Sequence, residues 1–594
     1  MLTLFKKLYF ILPSDELFRI FKLSFFLTLL AFVEVFGLAL ISFLLINIDN
    51  LNDAIQSLFL FPSIVSFFNI PNEHSVSVFC ALIIVYTLAT FLSYLVIIRS
   101  LNISGQFIGS RVRQKILSYY LDADWMNTLN INASSKISKI LNDGAEVGNI
   151  VIFSLHLFSR VILCICIVVA LLIFNPALTL MLISILFLAY FLMTYFISPY
   201  IKNYGSSASK MMNASIHVLN NIFGSVKEII FYEAKNEFMS KFRETDSNLA
   251  YARAHNAFYS QIPKFFIDSI VLITLVLLIS VFSAADFSSQ AVFASISVFG
   301  LAGLKILPSF QNIYYFYSEI IFRQLQLLNV NEIFEDIKSS KISLKNSSIS
   351  LKNSIFFQNV SFYFEDNSPA LIEIDLELES NDNVAIIGPS GSGKSTLLDL
   401  ILGFTFPQSG KIFFDNVEIS HHARHGVRSN FAFVPQKVHL IEGTLQENIL
   451  LGSSLSESNE EAFFKAISLA CLEELVDLLP DGLDTVISDV NPIISGGQRQ
   501  CIGFARAFFR QRKALILDEA TNAMDRDLES KIMKNIDAAN FQMLIAITHK
   551  GSLLEYFNKI CILDHGRIQD YDFFTVLKKK NIFLKKMLEK NLSN

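Results

Sequence analysis

Long apolar runs dominate the first half of the chain and become rare in the second. A helix needs about 20 apolar residues to cross the hydrocarbon of a bilayer. Six runs are long enough, at 23–47, 75–98, 149–174, 176–200, 262–283 and 291–318. The third and fourth runs meet at Asn175-Pro176, which predicts a tight helical hairpin. The pattern therefore predicts a bundle of six membrane-spanning helices within residues 1–320.

Lysine and arginine are unevenly distributed around these runs. None lies between Lys22 and Arg99, whereas the segments 99–148 and 201–256 each carry several. Because basic residues favour the cytoplasmic side of a membrane, we expect both segments and both chain termini to be cytoplasmic. Both segments also have a helical pattern, so we expect the runs to continue as long cytoplasmic helices. The first outer loop, near 48–74, is expected to be a surface helix or a re-entrant loop.

The chain changes character after residue 320. A polar stretch rich in serine, lysine and asparagine lies near 338–354, and we predict a linker over 321–349. From about residue 350, short β-rich runs alternate with helical ones, as in a parallel α/β domain. The predicted fold is therefore a membrane α-helical bundle fused to an α/β domain over 350–594.

Composition agrees with a membrane protein and excludes other classes. The 594 residues are 52% hydrophobic and only 17% charged, whereas a soluble protein has about 25% charged residues. A net charge of −5 and the lack of a basic stripe give no indication of a nucleic-acid partner. The six cysteines have no metal-binding spacing, so we expect them to be reduced or buried.

A glycine-rich stretch between a predicted strand and a predicted helix matches the P-loop pattern GxxxxGK[ST]. The stretch comprises Gly388, Pro389, Ser390, Gly391, Ser392, Gly393, Lys394, Ser395 and Thr396. In a P-loop the glycines turn backbone N–H groups toward phosphate, and the lysine reaches the β- and γ-phosphates. The serine hydroxyl, here Ser395, ligates Mg²⁺. The sequence therefore predicts an α/β P-loop domain that binds ATP and Mg²⁺.

Four further polar residues follow apolar strands in this half of the chain. Asp518 and Glu519 end the strand "ALIL", and we expect Asp518 to hold Mg²⁺ and Glu519 to polarise the attacking water. Gln436, after "FVP", is expected to sense the metal and the water, and His549, after "IAIT", to contact the γ-phosphate. Alone, Gln436 and His549 would each be better explained as structural residues.

A Ser-Gly-Gly-Gln turn opens a predicted helix between the P-loop and the Asp-Glu strand. It consists of Ser495, Gly496, Gly497 and Gln498. This turn, with the order of the other motifs, resembles the signature of ATP-binding cassette (ABC) proteins. Six membrane runs followed by one nucleotide domain resemble an ABC exporter half-transporter. The resemblance implies a head-to-tail dimer in which each ATP lies between the P-loop of one subunit and Ser495 and Gly497 of the other.

The chain departs from the family pattern at a few positions. Ile494 replaces the usual leucine of the signature, and the segment 522–525 reads Asn-Ala-Met-Asp instead of Ser-Ala-Leu-Asp. The residue that matches the adenine-stacking aromatic is Phe364 rather than tyrosine. No catalytic group is lost, because Glu519 and His549 are both present. Two copies of the chain would make two competent sites, so we expect a homodimer.

Three cations lie inside apolar runs, where a charge is costly and usually faces protein or water. They are Arg160, Lys264 and Lys305. One interpretation is that they snorkel to the inner headgroups, with Lys264 paired to Asp268 and with Glu34 as a further partner. The other interpretation is that they form a cationic lining for an anionic cargo. The partners of the protein would then be the membrane and a lipid cargo.

The stretches "SQIPKFFIDSIVLI", "LKILPSF" and "FVEVFGLALISFLLI" resemble bacterial ABC flippases for lipid-linked oligosaccharides. That resemblance implies a location in the bacterial cytoplasmic (inner) membrane and an ATP-driven flippase. The alternatives are a multidrug or peptide exporter of the same architecture and an ABC-like regulatory or channel protein without pumping. The presence of Glu519 argues against the last.

Overall fold

The computed structural model describes residues 2–46, 75–122, 132–284, 289–341, 349–364, 368–419, 424–489 and 493–592. These residues form two compact units that divide between Ser339 and Ser340. We call them the helical unit and the nucleotide unit. The outer loop near 48–74, for which the sequence leaves two interpretations, lies outside the described residues.

The helical unit is built from long helices. Its helices are α1 (Leu2–Ile11), α2 (Ser14–Ile46), α3 (Ser75–Asp122), α4 (Ala133–Ser138), α5 (Gly144–Phe174), α6 (Pro176–Gly224), α7 (Val226–Phe231), α8 (Lys235–Ala284), α9 (Ser289–Phe322) and α10 (Gln324–Lys341). A π-helical turn, Lys139–Asp143, joins α4 to α5. Asn175 ends α5 in an extended conformation and caps α6, since its side chain accepts a hydrogen bond from the backbone of Leu178. The predicted hairpin at Asn175-Pro176 is confirmed.

Four helical stretches among the described residues are long and apolar enough to cross a membrane. They are Ser14–Leu44, Val76–Asp122, Ala133–Phe174 and Pro176–Gly224, and they overlap the first four predicted runs. The fifth and sixth runs lie within α8 and α9. Several of these helices exceed the length that a bilayer requires, so they extend beyond the hydrocarbon.

Glycines bring two of these helices into close contact. A Cβ atom on Gly148 of α5 would lie 2.5 Å from the carbonyl oxygen of Gly105 and 3.1 Å from the Cα of Gly109, both on α3. The spacing of four residues between Gly105 and Gly109 gives a smooth stripe along one helix face. Any larger residue at Gly148 would therefore force the backbones apart.

The predicted linker 321–349 is mostly helix. Helix α10 occupies Gln324–Lys341, and its residues Leu327, Val330 and Phe334 are buried in the core of the helical unit. Their spacing of three and four residues places them on one helix face. This apolar stripe stabilises a helix in a segment whose polar residues predict a linker.

The nucleotide unit contains two main sheets. Its strands are β1 (Ser354–Tyr363), β2 (Pro369–Glu379), β3 (Asn383–Ile387), β4 (Ser409–Phe414), β5 (Val417–Glu418), β6 (Phe431–Val434), β7 (Gly443–Thr444), β8 (Val486–Ile487), β9 (Ala514–Asp518), β10 (Met543–Ile547), β11 (Lys559–Asp564) and β12 (Arg567–Phe573). The antiparallel sheet has the order β2-β1-β4-β5, and the larger sheet the order β12-β11-β3-β10-β9-β6. Strands β11, β3, β10, β9 and β6 run parallel, while β12 is antiparallel at the edge.

The nucleotide unit also contains helices. They are α11 (Lys394–Ile401), α12 (Arg424–Arg428), α13 (Leu445–Leu450), α14 (Glu460–Leu469), α15 (Glu473–Leu478), α16 (Gly496–Phe509), α17 (Arg526–Ala538), α18 (Phe574–Lys580) and α19 (Ile582–Leu592). Strands β3, β6, β9 and β10 all end at the same edge of the parallel sheet. The motifs that follow these strands therefore meet at one edge, where ligands bind in open α/β sheets.

Candidate ATP site

The P-loop connects β3 to α11 by a backbone that only glycine accommodates at two points. Gly388 and Gly393 have φ angles of +156° and +102°. A Cβ atom on Gly393 would lie 2.5 Å from the carbonyl oxygen of Ala370, and one on Gly388 would overlap the carbonyl oxygen of Leu563. The loop is therefore wrapped tightly between β2 and β11, with the first turn of α11 directly behind it.

The residues of this loop fit a bound phosphate. Lys394 donates to the carbonyl oxygens of Gly388 and Pro389, at 3.0 and 2.7 Å, so its ammonium group is folded over the loop. The buried hydroxyl of Ser392 has no hydrogen-bond partner among the described residues. Ser395 and Thr396 begin α11, whose N-terminus favours anions. An anion placed here would meet a helix terminus, an ammonium group and an unsatisfied hydroxyl.

Glu519 lies at the centre of the predicted catalytic group. The Nε2 of Gln436 donates to Glu519 Oε2 at 2.8 Å, and the Nε2 of His549 lies 3.1 Å from Oε1. Glu519 itself has a φ of +47°, which is costly for a residue with a side chain. The structure brings these three predicted residues together at the ends of β6, β9 and β10.

Burial and neighbouring charges shift two pKa values in this group. Burial lowers the pKa of Lys394, and the carboxylates of Glu519 and Asp518 oppose that change. Burial raises the pKa of Asp518, Glu519 raises it further, and Lys394 lowers it. Lys394, Asp518 and Glu519 are therefore close enough to influence one another electrostatically.

A metal ion at this site would need oxygen atoms from the nucleotide. Among the described residues, no group of three or more histidine, cysteine, aspartate or glutamate side chains is arranged to hold a metal. Mg²⁺ is usually bound through one or two carboxylates together with substrate phosphates and water. Asp518 with the Ser395 hydroxyl and the Gln436 amide fits that pattern.

The signature turn forms the N-terminus of α16. Ser495 caps this helix: its hydroxyl accepts from the backbone of Gln498 at 3.3 Å, and the Gln498 side chain accepts from the backbone of Ser495 at 2.8 Å. A Cβ atom on Gly497 would lie 3.1 Å from the carbonyl oxygen of Ala523, and one on Gly496 3.3 Å from the Ala523 side chain. The turn therefore packs against the segment that follows Glu519.

Two predicted parts of the site are not joined directly to the P-loop. Within the part of the chain that the structure describes, no hydrogen bond or ion pair links Ser495 to Lys394. Phe364 follows β1, is 42% exposed and contacts Phe362 edge-on with ring centroids 5.7 Å apart. Its aromatic face is thus accessible to a ligand.

The three cations of the helical unit have separate surroundings. Lys305 Nζ lies 3.6 Å from a carboxylate oxygen of Glu34, the partner that the sequence suggests. Arg160 donates to the hydroxyl of Tyr94 and lies over its ring, 5.7 Å from the centroid.

Lys264 is exposed. The expected pairing of Lys264 with Asp268 is absent from the described contacts. The Asp268 carboxylate instead accepts from Gln311 at 2.6 Å, because α9 packs beside it and supplies a closer donor.

Sequence reasoning did not assign a role to Asn522. Its side chain donates to Glu519 Oε2 at 2.9 Å. The only sequence signal was the departure from the family's serine at this position.

Comparison with known proteins identifies the family of the chain. The family model for the ABC transporter transmembrane region matches residues 23–303, and the ABC transporter model matches residues 371–522. The chain belongs to the ABC transporter family. Its fold is that of the exporters: a bacterial Atm1-family ABC exporter solved with ATP bound has a TM-score of 0.80 at 18% identity, over 98% of this chain and all of the other.

Relatives with assigned names match over shorter stretches. An ATP-dependent lipid A-core flippase of Cupriavidus pinatubonensis is 37% identical over 211 residues, which cover 35% of this chain and 36% of the relative. The same-named protein of Shewanella oneidensis is 39% identical over 212 residues, 35% of each chain. The ABC multidrug transporter MDR2 of Trichophyton equinum is 37% identical over 201 residues, 34% of this chain and 15% of the relative. The chain thus matches about a third or less of each of these relatives.

Proposed function

We propose that this chain is an ATP-driven transporter that moves an amphipathic, anionic cargo, a lipid-linked saccharide, from the cytoplasmic to the outer leaflet of a bacterial inner membrane. The observation that carries the ATP-driven part is the position of Glu519. Its carboxylate follows a buried strand and is held by Gln436 and His549, beside Asp518 and the P-loop lysine. Such an arrangement suits a general base that accepts a proton from water.

The other residues of the site have complementary roles in this proposal. Lys394 and the first turn of α11 bind the β- and γ-phosphates, and Phe364 stacks on the adenine. Gln436 and His549 orient Glu519 and contact the γ-phosphate side of the nucleotide. Mg²⁺, held by Ser395, Gln436 and Asp518, would neutralise charge on the phosphates.

The active assembly in this proposal is a homodimer. Ser495 to Gln498 would complete the ATP site of the second copy, since no described contact joins Ser495 to the P-loop of its own chain. Both copies would carry Glu519 and His549, so both sites would hydrolyse ATP.

The anionic cargo is supported by the cations of the apolar helices. Lys305 is half exposed even though it lies near Glu34, and Lys264 is exposed. A primary amine in a cavity of low dielectric constant would attract a pyrophosphate headgroup. The relatives named lipid A-core flippase are consistent with a lipid cargo.

A second candidate is a multidrug exporter of uncharged or cationic amphipathic compounds. Two of the three cations already have partners: Glu34 lies beside Lys305, and the hydroxyl and ring of Tyr94 contact Arg160. The match to a multidrug transporter also favours this candidate.

Reconstitution of the full chain in liposomes tests both the hydrolysis of ATP and the identity of the cargo. A fluorescent polyprenyl-pyrophosphate saccharide and a panel of hydrophobic drugs would be offered with ATP. Glu519→Gln should keep ATP binding but slow hydrolysis at least about a hundredfold, because general-base catalysis contributes about 10²–10⁴ in rate. Near-normal turnover by this variant would remove Glu519 from the mechanism.

The cargo is tested by replacing Lys264 and Lys305 together with glutamine. We expect loss of saccharide-stimulated transport with basal ATPase retained, and partial function when both are replaced by arginine. The control replaces Lys210 and Lys227, two exposed lysines outside the apolar runs, with glutamine. Normal saccharide transport by the Lys264/Lys305 variant would show that the two lysines do not recognise the headgroup. Transport of drugs alone by the unchanged protein would favour the second candidate.

A further inference from the structure

The loop after Glu519 places an amide group directly on the carboxylate. Residues Glu519 to Asn522 form a tight turn in which the Asn522 backbone N–H donates to the Glu519 carbonyl oxygen at 3.2 Å. The turn also directs the Asn522 side chain back, so that its Nδ2 donates to Glu519 Oε2 at 2.9 Å. Asparagine is a departure from the serine of the family pattern, and the serine side chain ends one bond earlier.

The hydrogen bonds on Glu519 leave one of its two oxygens more available than the other. An ionised carboxylate has about four acceptor positions, two on each oxygen. Both positions of Oε2 are used, by the amides of Gln436 and Asn522, while Oε1 has one contact, with His549. The remaining acceptor position is therefore on Oε1, and it is available to a water molecule.

The backbone that carries Asn522 is fixed from both sides. The Nζ of Lys550 donates to the carbonyl oxygen of Thr521 at 2.9 Å and to Glu529 at 2.6 Å. The backbone N–H of Ala523 donates to the side chain of Gln500 at 3.1 Å. Gln500 lies on α16, the helix that begins at the signature turn. This helix is therefore connected to Glu519 through the hydrogen bond from Ala523 to Gln500, the peptide bond between Ala523 and Asn522, and the hydrogen bond from Asn522 to Glu519.

We propose that Asn522 is a positioning residue for Glu519. Its amide holds Oε2, so that Oε1 is the atom that accepts the proton of the attacking water, and it ties the orientation of Glu519 to helix α16. This inference rests on the proposed role of Glu519 as the general base. With serine at position 522, Oε2 would lose one of its two donors and the carboxylate would gain freedom to turn.

Steady-state ATPase kinetics of the full-length protein test this role. Asn522→Ser should lower kcat about tenfold while the KM for ATP stays within about twofold, because the change affects the orientation of Glu519 and not the phosphate-binding groups. Asn522→Asp has the same shape but places a second carboxylate beside Glu519. It should lower kcat further, because like charges at this distance repel.

Asn535→Ser is the matched control. Asn535 lies on α17 of the same unit, and its side chain donates to the carbonyl oxygen of Leu469 at 2.9 Å. The control therefore removes a hydrogen bond of the same kind without affecting Glu519, and its kcat should equal that of the unchanged protein. If Asn522→Ser behaves like this control, or if it raises KM with kcat unchanged, the proposal is overturned.

A second readout needs no catalysis. The melting temperature of the nucleotide-free protein would be compared for Asn522→Ser, Glu519→Ala and the double variant. Coupled residues give non-additive changes, so the double variant should melt close to Glu519→Ala alone, whereas additive changes contradict the contact. Activity retained by Glu519→Gln would refute the general base itself, whereas an inactive Glu519→Gln with a normal Asn522→Asp refutes only the positioning role.

Discussion

Replacing Arg323 with glutamine is expected to destabilise the helical unit. The guanidinium group lies just beyond the sixth apolar run and contacts two carboxylates on different helices. Its Nε donates to Glu146 of α5 at 2.6 Å, and its Nη1 donates to Glu319 of α9. Asn256 of α8 donates to the other oxygen of Glu319 at 3.0 Å. The cation therefore joins α5 to α9 directly, and α8 is connected to it through Glu319.

The magnitude follows from burial and charge. The side chains of Arg323, Glu146 and Glu319 are only 17%, 23% and 9% exposed. Removing one partner of a buried ion pair costs about 3–5 kcal/mol, because the remaining charge is left unpaired. Partial exposure places Arg323→Gln near the lower end, at about 3 kcal/mol. For a unit of this size that corresponds to a fall in melting temperature of about 6 °C.

Thermal unfolding of the purified full-length protein measures this change, and two variants make the test specific. Arg323→Gln combined with Glu146→Gln and Glu319→Gln removes all three charges and should recover most of the lost stability. Lys241→Gln breaks the ion pair between Lys241 and Glu237, whose side chains are 55% and 65% exposed, respectively. Because this pair is exposed, its loss should shift the melting temperature little. The reasoning is refuted if the melting temperature of Arg323→Gln lies within about 2 °C of that of the unchanged protein, a difference of about 1 kcal/mol. It is also refuted if the triple variant is no more stable than Arg323→Gln alone.

Two further predictions concern pH and the assembly. Burial raises the pKa of Asp143 to about 6, with Glu146 adding to the rise and Asn329 and Lys139 opposing it. The stability that protonated Asp143 contributes is present below about pH 3.8 and lost as the pH rises through about 6. Asp143→Asn should therefore melt higher than the unchanged protein at pH 8 and no higher at pH 4, and a constant difference would contradict the burial. Mixed dimers of Ser495→Arg and Lys394→Ala chains should keep one intact ATP site of two, whereas nucleotide binding identical to that of either pure variant would exclude a shared site.

Local sequence was sufficient for most of the fold. The apolar runs, the Asn175-Pro176 hairpin and the strand–loop–helix at Gly388 to Lys394 are short-range patterns, and the structure has each of them. The helix within the segment 321–349 was not foreseen, because the polar residues near 338–354 predict a linker while Leu327, Val330 and Phe334 are buried against helices distant in sequence. A stripe of this kind is recognised only when the surface that it packs against is known.

The sequence by itself determined the family and the types of residue at the ATP site, because motif order and glycine spacing are properties of a linear chain. It also placed Arg160, Lys264 and Lys305 in apolar helices. Only the tertiary structure decided their partners: Glu34 for Lys305, Tyr94 for Arg160, and Gln311 for Asp268 in place of Lys264. Likewise, only the convergence of β6, β9 and β10 at one sheet edge showed that Gln436 and His549 share the carboxylate of Glu519. The physical reason is that such contacts depend on which side chains are brought within hydrogen-bonding distance by strands and helices far apart in sequence.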